Sequence, residues 1–163
     1  MPDMLVHLLK LPSLEQTLEA CRRDGVVLRN PLPHELGKVR SFITKHFGSG
    51  WADEVMPAFS RHPVSVVIAL RQGRIVGFGA YECTCKAFFG PTGVAESERG
   101  KGVGKALLIA SLWGLRHMGY AYGVIGGAGP VDFYAKAVGA TVIEDSKPGV
   151  YADPIASEDE AIE

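Results

Sequence analysis

The chain has 163 residues, 47% of them hydrophobic and 21% charged, with a formal net charge of -1. That size fits one domain, that composition an ordinary globular protein, and the near-neutral balance leaves out the basic footprint of a nucleic-acid binder. No apolar run approaches the roughly 20 residues of a membrane helix, and the opening MPDMLVHLLKLPSLEQ lacks the basic and apolar regions of a secretory signal, so a cytoplasmic location is expected.

In chain order, MLVHLLKL predicts a short first strand. Ser13 followed by Gln16 has the spacing of a capping box, and Gly25 ends the helix it opens. VVLRN reads as a strand. After Pro33, Leu36, Val39, Ile43 and Phe47 recur at helical spacing up to Gly48. GWADEVMPAFS predicts a second short helix, disturbed in its middle by Pro57. VSVVIALR and RIVGFGAYE are β-branched runs split by a QG turn, and KAFFGPTGV predicts a third strand beside them. A long helix is expected from Gly102 to Met118, stopped by Gly119. Then come a strand in YAYGVIGG, a helix opened by Pro130 in PVDFYAKAV, and a closing strand pair in ATVIED and GVYAD.

This order predicts an α+β fold with one mixed, mostly antiparallel sheet and helices on both faces. A single domain spans 1–163, with a core over about 25–152, a strand-and-helix extension over 1–24 and an acidic tail over 155–163. Cys21, Cys83 and Cys85 are odd in number, and C-x-C without companion cysteines is not a zinc pattern, so reduced thiols and no metal are expected.

The stretch ESERGKGVGKALL sets Arg99, Lys101 and Lys105 among Gly100, Gly102 and Gly104, at the mouth of the long helix. Free amides and the positive end of the helix dipole converge there, and the glycines let an anion come close to the backbone. A phosphate or pyrophosphate fits such a place. It is not a Walker loop, because Arg99 stands at the first glycine and Ala106 follows Lys105. The dinucleotide pattern fails too, with Lys105 or Leu107 where the third glycine belongs.

The pattern that does fit is R-x-x-G-x-G, made by Arg99, Gly102 and Gly104. With Val94 five residues before the arginine and FYAKAVGA downstream, it resembles motif A and the tyrosine helix of the GNAT superfamily of acyl-CoA-dependent N-acetyltransferases. The resemblance covers about residues 25–152. It implies a GNAT fold whose motif A strand splays from the next strand to admit the pantetheine arm of acetyl-CoA. Pro91, which cannot donate to a sheet ladder, and the glycines at 90, 93 and 126–129 suit such a gap. The resemblance also implies that the Val94 backbone pairs with the pantetheine, while Gly100, Lys101, Gly102, Val103, Gly104 and Lys105 hold the pyrophosphate beside Arg99. The chain departs from the family at Gly127, where an asparagine is common, and at Ala140, where the tyrosine motif ends in phenylalanine after one extra residue.

The family's direct transfer from acetyl-CoA to an amine needs a proton donor for the leaving thiolate and a base for the amine. Tyr134 resembles the family's acid; the alternative is a core aromatic at helical spacing with Val138. Glu82, ending a strand beside the expected cleft, is the first candidate base, and the alternative is a plain strand-end glutamate. His46, Asp53 and Glu54 lie on the helices that would wall the acceptor and read as structural. Cys83 and Cys85 raise an acyl-enzyme route, less fitting than idle thiols. The competing class is a non-catalytic CoA-binding or regulatory domain. The sequence leaves open the acceptor amine, the acyl-chain length and the oligomeric state, a homodimer included.

Overall fold

The computed structural model describes residues 1–156. Among the described residues seven strands form one sheet: β1 (Met4–His7), β2 (Val26–Arg29), β3 (Val66–Arg71), β4 (Arg74–Tyr81), β5 (Phe88–Val94), β6 (Tyr122–Ile125) and β7 (Thr141–Val142). Their order is β2-β3-β4-β5-β6-β1-β7. Only β5 and β6 run parallel; every other neighbouring pair is antiparallel. The described residues also form α1 (Leu14–Arg23), α2 (Leu36–Phe47), α3 (Ser49–Val55), α4 (Val103–His117) and α5 (Val131–Val138). This is the α+β architecture expected from the element order. Among the described residues no helix is long and apolar enough to cross a membrane.

Two apolar clusters lie on the two faces of the sheet. On one face α4 is buried along most of its length, and Val103, Leu107, Leu112 and Leu115 pack with Val6, Phe89, Ile125 and the α5 residues Tyr134 and Val138. On the other, Val39 and Ile43 of α2 and Val55 of α3 pack on Ile68, Phe78 and Ala80. Each such side chain, removed from water, contributes about 1.5–3 kcal/mol. α4 crosses β4 so closely that a Cβ on Gly114 would overlap the Tyr81 ring.

Helix ends follow their sequence signals. Ser13 Oγ accepts the Gln16 amide at 3.2 Å, and Gly48, at φ 97, stops α2. α3 ends at Val55 and gives way to a 3₁₀ turn over Met56–Ser60 that accommodates Pro57.

Two expectations need correction. GVYAD is not a strand: Gly149–Tyr151 is a 3₁₀ turn, and its supposed partner is reduced to Thr141–Val142. The place beside β7 is taken instead by β1, which pairs with it through Met4↔Val142 and with β6 through Met4↔Ile125. The N-terminal strand is thus an internal member of the sheet, not an extension of it. Of the acidic tail expected over 155–163, residues 157–163 lie outside the described residues.

Candidate functional site

The parallel pair β5–β6 is short. It holds at Phe88↔Val124 and Phe89↔Ile125, and there β6 ends while β5 runs on to Val94, paired only with β4. The β6-facing edge of residues 90–94 is therefore an unpaired sheet edge inside the sheet. At its start the β4–β5 ladder slips: Gly79 faces Thr92 while Tyr81 faces Phe89, so β5 carries an extra residue around Gly90 and Pro91. A proline has no amide to lose from a ladder, which is why a bulge suits it.

β6 is drawn away by the N-terminal segment. The Gly127 amide donates to Asp3 Oδ1 at 2.8 Å, and the Ala128 amide to the Pro2 carbonyl at 2.7 Å. Gly127, where the family often has asparagine, thus spends its backbone on Asp3.

The far end of the gap runs into the glycine segment. Gly102 sits at φ 83 as the residue before α4, no side chain caps the helix, and the first bond into it is Ala106 N–H to Gly102 O. The amides of Val103, Gly104 and Lys105 have no partner within the helix. Gly100, Lys101, Gly102 and Lys105 are exposed, and a Cβ on Gly104 would meet only Val94, at 3.7 Å. Arg99 reaches back to the Val94 carbonyl at 3.2 Å, bracing the turn between strand and helix. Glu98 is held by Arg71 at 3.0 Å and Lys101 at 3.5 Å, and the Arg71 hydrogen bond keeps its carboxyl below the usual range. A groove of about 620 Å³ also reaches Lys101 and Lys105, but it lies between α1 and α4 and takes no residue from β5, β6 or α5. It meets the gap only at the glycine segment, where Gly102 and Val103 also line it.

Tyr134 stands where β5 and β6 part. Its ring meets Phe89 edge-on at 6.4 Å, it is 7% exposed, and its hydroxyl makes no hydrogen bond among the described residues. Burial pushes the phenol above its ordinary pKa, so it keeps its proton at neutral pH.

Glu82 is not brought to this place. It follows β4 at φ 59, and its carboxylate accepts the Ala87 amide at 2.6 Å and the Tyr120 hydroxyl at 2.5 Å. It thereby closes the base of the 82–87 turn on Ala87 and Tyr120, where the β5–β6 pair begins, and each oxygen already holds a donor. Sequence position alone put it at a strand end; which end of the parallel pair that was depended on sheet order.

Other polar groups do converge on the gap. Glu54 of α3 accepts the Thr84 hydroxyl at 2.5 Å and the Tyr151 hydroxyl at 2.9 Å, both on Oε1. The Cys83 thiol donates to the Gly90 carbonyl at 3.3 Å. Burial, with smaller help from the Glu54 charge, lifts that thiol to about 11, so it stays a thiol and not a nucleophilic thiolate. Burial first, then the hydrogen bond to Glu54, lifts the Tyr151 phenol to about 12. Beside them Phe47 covers Gly93 so tightly that a Cβ there would overlap its ring. Trp51, 39% exposed, stacks on Phe47 at 5.4 Å. Nothing in the local sequence marks Tyr151 as part of a site, because it arrives on an irregular segment. Among the described residues no three His, Cys, Asp or Glu side chains gather as a metal site.

The sequence profile of the acetyltransferase (GNAT) family matches residues 36–139, from the start of α2 to the end of the tyrosine helix. The chain belongs to the GNAT acetyltransferase family. Solved GNAT structures share its fold. The GCN5-related N-acetyltransferase from Sphaerobacter thermophilus superposes with a TM-score of 0.66 at 20% identity, over 87% of this chain and 48% of its own. A GNAT acetyltransferase from Brucella melitensis, solved in complex with acetyl-CoA, gives 0.55 at 18% identity, over 72% and 86%. The GCN5-related glucosamine N-acetyltransferase region of a fungal multi-domain β-N-acetylglucosaminidase gives 0.71 at 15%, over 87% and 19%. The chain thus spans less than half the length of the first and third of these. No curated protein matches its sequence.

Proposed function

We propose that this GNAT domain transfers an acetyl group from acetyl-CoA to the nitrogen of an amine acceptor, both substrates being bound together. The observation that carries this reading is the interior sheet gap running from Tyr134 to an uncapped helix N-terminus. A slot edged by free strand backbone suits the amides of a pantetheine arm. The Val103, Gly104 and Lys105 amides, with Lys101, Lys105 and Arg99 around them, suit a pyrophosphate at its end.

Acetyl-CoA supplies the activated thioester; the chain's own groups supply position and protons. The β5 edge beyond Pro91, Val94 included, orients the arm. Phe47 and Phe89 keep water from the gap. Tyr134, protonated and without a protein partner, gives its proton to the departing sulfur.

Replacing Gly104 by valine tests the phosphate end. The site is helical, without positive φ, and the added side chain has room to leave the fold intact while covering the amides an anion would use. We expect an unchanged melting temperature and at least tenfold weaker CoA binding by calorimetry. Unchanged affinity would remove the proposed cofactor position. Release of free CoA from acetyl-CoA only when an amine is present tests transfer itself.

A further inference from the structure

Resting on the acetyl-transfer reading, we infer that Glu54 is the base that binds and deprotonates the acceptor, and that the acceptor is a cationic amine entering past Trp51. Four pieces of chain bring this carboxylate to the mouth of the gap. α3 carries it, the 82–87 turn supplies Thr84, the bulge of β5 holds neighbouring Cys83 through Gly90, and Tyr151 ties it to the end of β6. The Tyr151 ring lies 3.4 Å from where a Cβ on Gly127 would be, so its hydroxyl spans from the β6 side to α3. Glu54 is therefore held over the point where the strands separate.

Its hydrogen bonds are lopsided. Thr84 and Tyr151 both donate to Oε1, while Oε2 takes no protein hydrogen bond among the described residues. Two donors on one oxygen fix the carboxylate and leave the other oxygen to receive an ammonium. Trp51 lies one helical turn before Glu54 on α3, with part of its ring exposed, and an aromatic face beside a carboxylate favours a cation. Glu82 offers no such oxygen, being engaged twice where the strand pair begins.

The step balances with the groups named. Glu54 takes one proton from the ammonium, giving a neutral amine. The amine nitrogen's lone pair forms the new N–C bond at the thioester carbonyl, and the C–S bond breaks with its electron pair going to sulfur. Tyr134 protonates that sulfur and recovers a proton through water from the amide nitrogen, and Glu54 returns its own to solvent. The groups facing Glu54 are the Thr84 and Tyr151 hydroxyls and the Cys83 thiol. Asp53 sits beside it on α3, and the His46 ring of α2 lies tilted against Phe42, centroids 4.6 Å apart. Neither Cys83 nor Tyr151 ionises in the range where a carboxylate titrates.

The test uses acetyl-CoA with butylamine, spermidine and a lysine-containing peptide, reading free CoA against pH. Glu54→Gln should lower kcat/KM by roughly 10²–10⁴ at neutral pH and recover much of it as pH nears the amine's own pKa, with acetyl-CoA affinity and melting temperature unchanged. Tyr151→Phe removes one of the two donors that fix the carboxylate and should raise the KM for the amine severalfold, with acetyl-CoA affinity unchanged. Wild-type kinetics in Glu54→Gln, or a loss equal at every pH, would overturn the assignment. So would an unchanged amine KM in Tyr151→Phe, which also decides the matter if Glu54→Gln folds poorly. A wild-type protein that binds acetyl-CoA but releases no CoA with any of these amines would instead overturn the transfer reading on which this one rests.

Discussion

Tyr134 combines two properties that a core aromatic seldom shares: near-complete burial and a hydroxyl without a protein partner. Tyr134→Phe removes that oxygen and keeps the ring against Phe89. We expect nearly unchanged thermal stability, nearly normal acetyl-CoA binding and a kcat lower by roughly tenfold or more. Steady-state kinetics beside a melting curve checks this, and an unchanged kcat would make Tyr134 a packing residue. The sequence pointed to Tyr134 because its motif is local, carried on one helix. Glu54 could not be singled out from Asp53 next to it, since what distinguishes them is Thr84 and Tyr151, both remote in sequence.

Elements were legible where a local chemical rule fixed them. The break in pairing at Pro91 followed from its missing amide, and the stop of α2 from Gly48. The last strand was misread because β-branched residues at 141–143 and an aromatic at 151 suggest strands, whereas the segment between is used for tertiary contacts such as the Asp3 amide donating to Ser146 Oγ at 2.9 Å. A further device sits at the entry to α2. Arg29, at the end of β2, makes two 2.7 Å hydrogen bonds to Glu35, and Glu35 also accepts the Leu32 amide at 2.8 Å. The guanidinium first, then that amide, holds the Glu35 carboxyl down to about 2. A carboxyl lowered on folding stabilises fully above its unfolded pKa of roughly 4.3 and loses that contribution as pH falls toward its folded value. Glu35→Gln should therefore melt lower than wild type at pH 7, with the gap closing as pH drops from about 4.5 to about 2. Because the pair is partly exposed, the gap should also shrink in high salt. A gap that stays constant with pH would mean that the lost contact is not ionic.

At the scale of the whole molecule, the mixed sheet was foreseeable from the alternation of strands and helices, but the seat of the first strand was not. Residues 4–7 carry no mark of their partners, and period-2 patterning says which face is buried without saying which strand lies alongside. That seat ties the gap to the N-terminal segment through Asp3, which is 9% exposed and accepts the Gly127 amide. Asp3→Ala leaves this amide without its acceptor at the very turn that leads β6 away from β5. We expect a loss of about 1–3 kcal/mol in urea unfolding, with Asp3→Asn, which keeps an acceptor oxygen, losing less. Equal losses in the two variants would show that charge, not the hydrogen bond, matters there.

The position of β1 also bears on the order in which the molecule is made. During synthesis residues 4–7 emerge more than a hundred residues before both strands they pair with, residues 122–125 and 141–142. Until then a strand with buried Met4 and Val6 has an unmatched ladder on each side, and closing so long a loop is slow. The nascent chain can complete the α2–β5 half of the sheet early, while the strand that finishes the other half waits, exposed to any chaperone or neighbouring chain that offers it an edge.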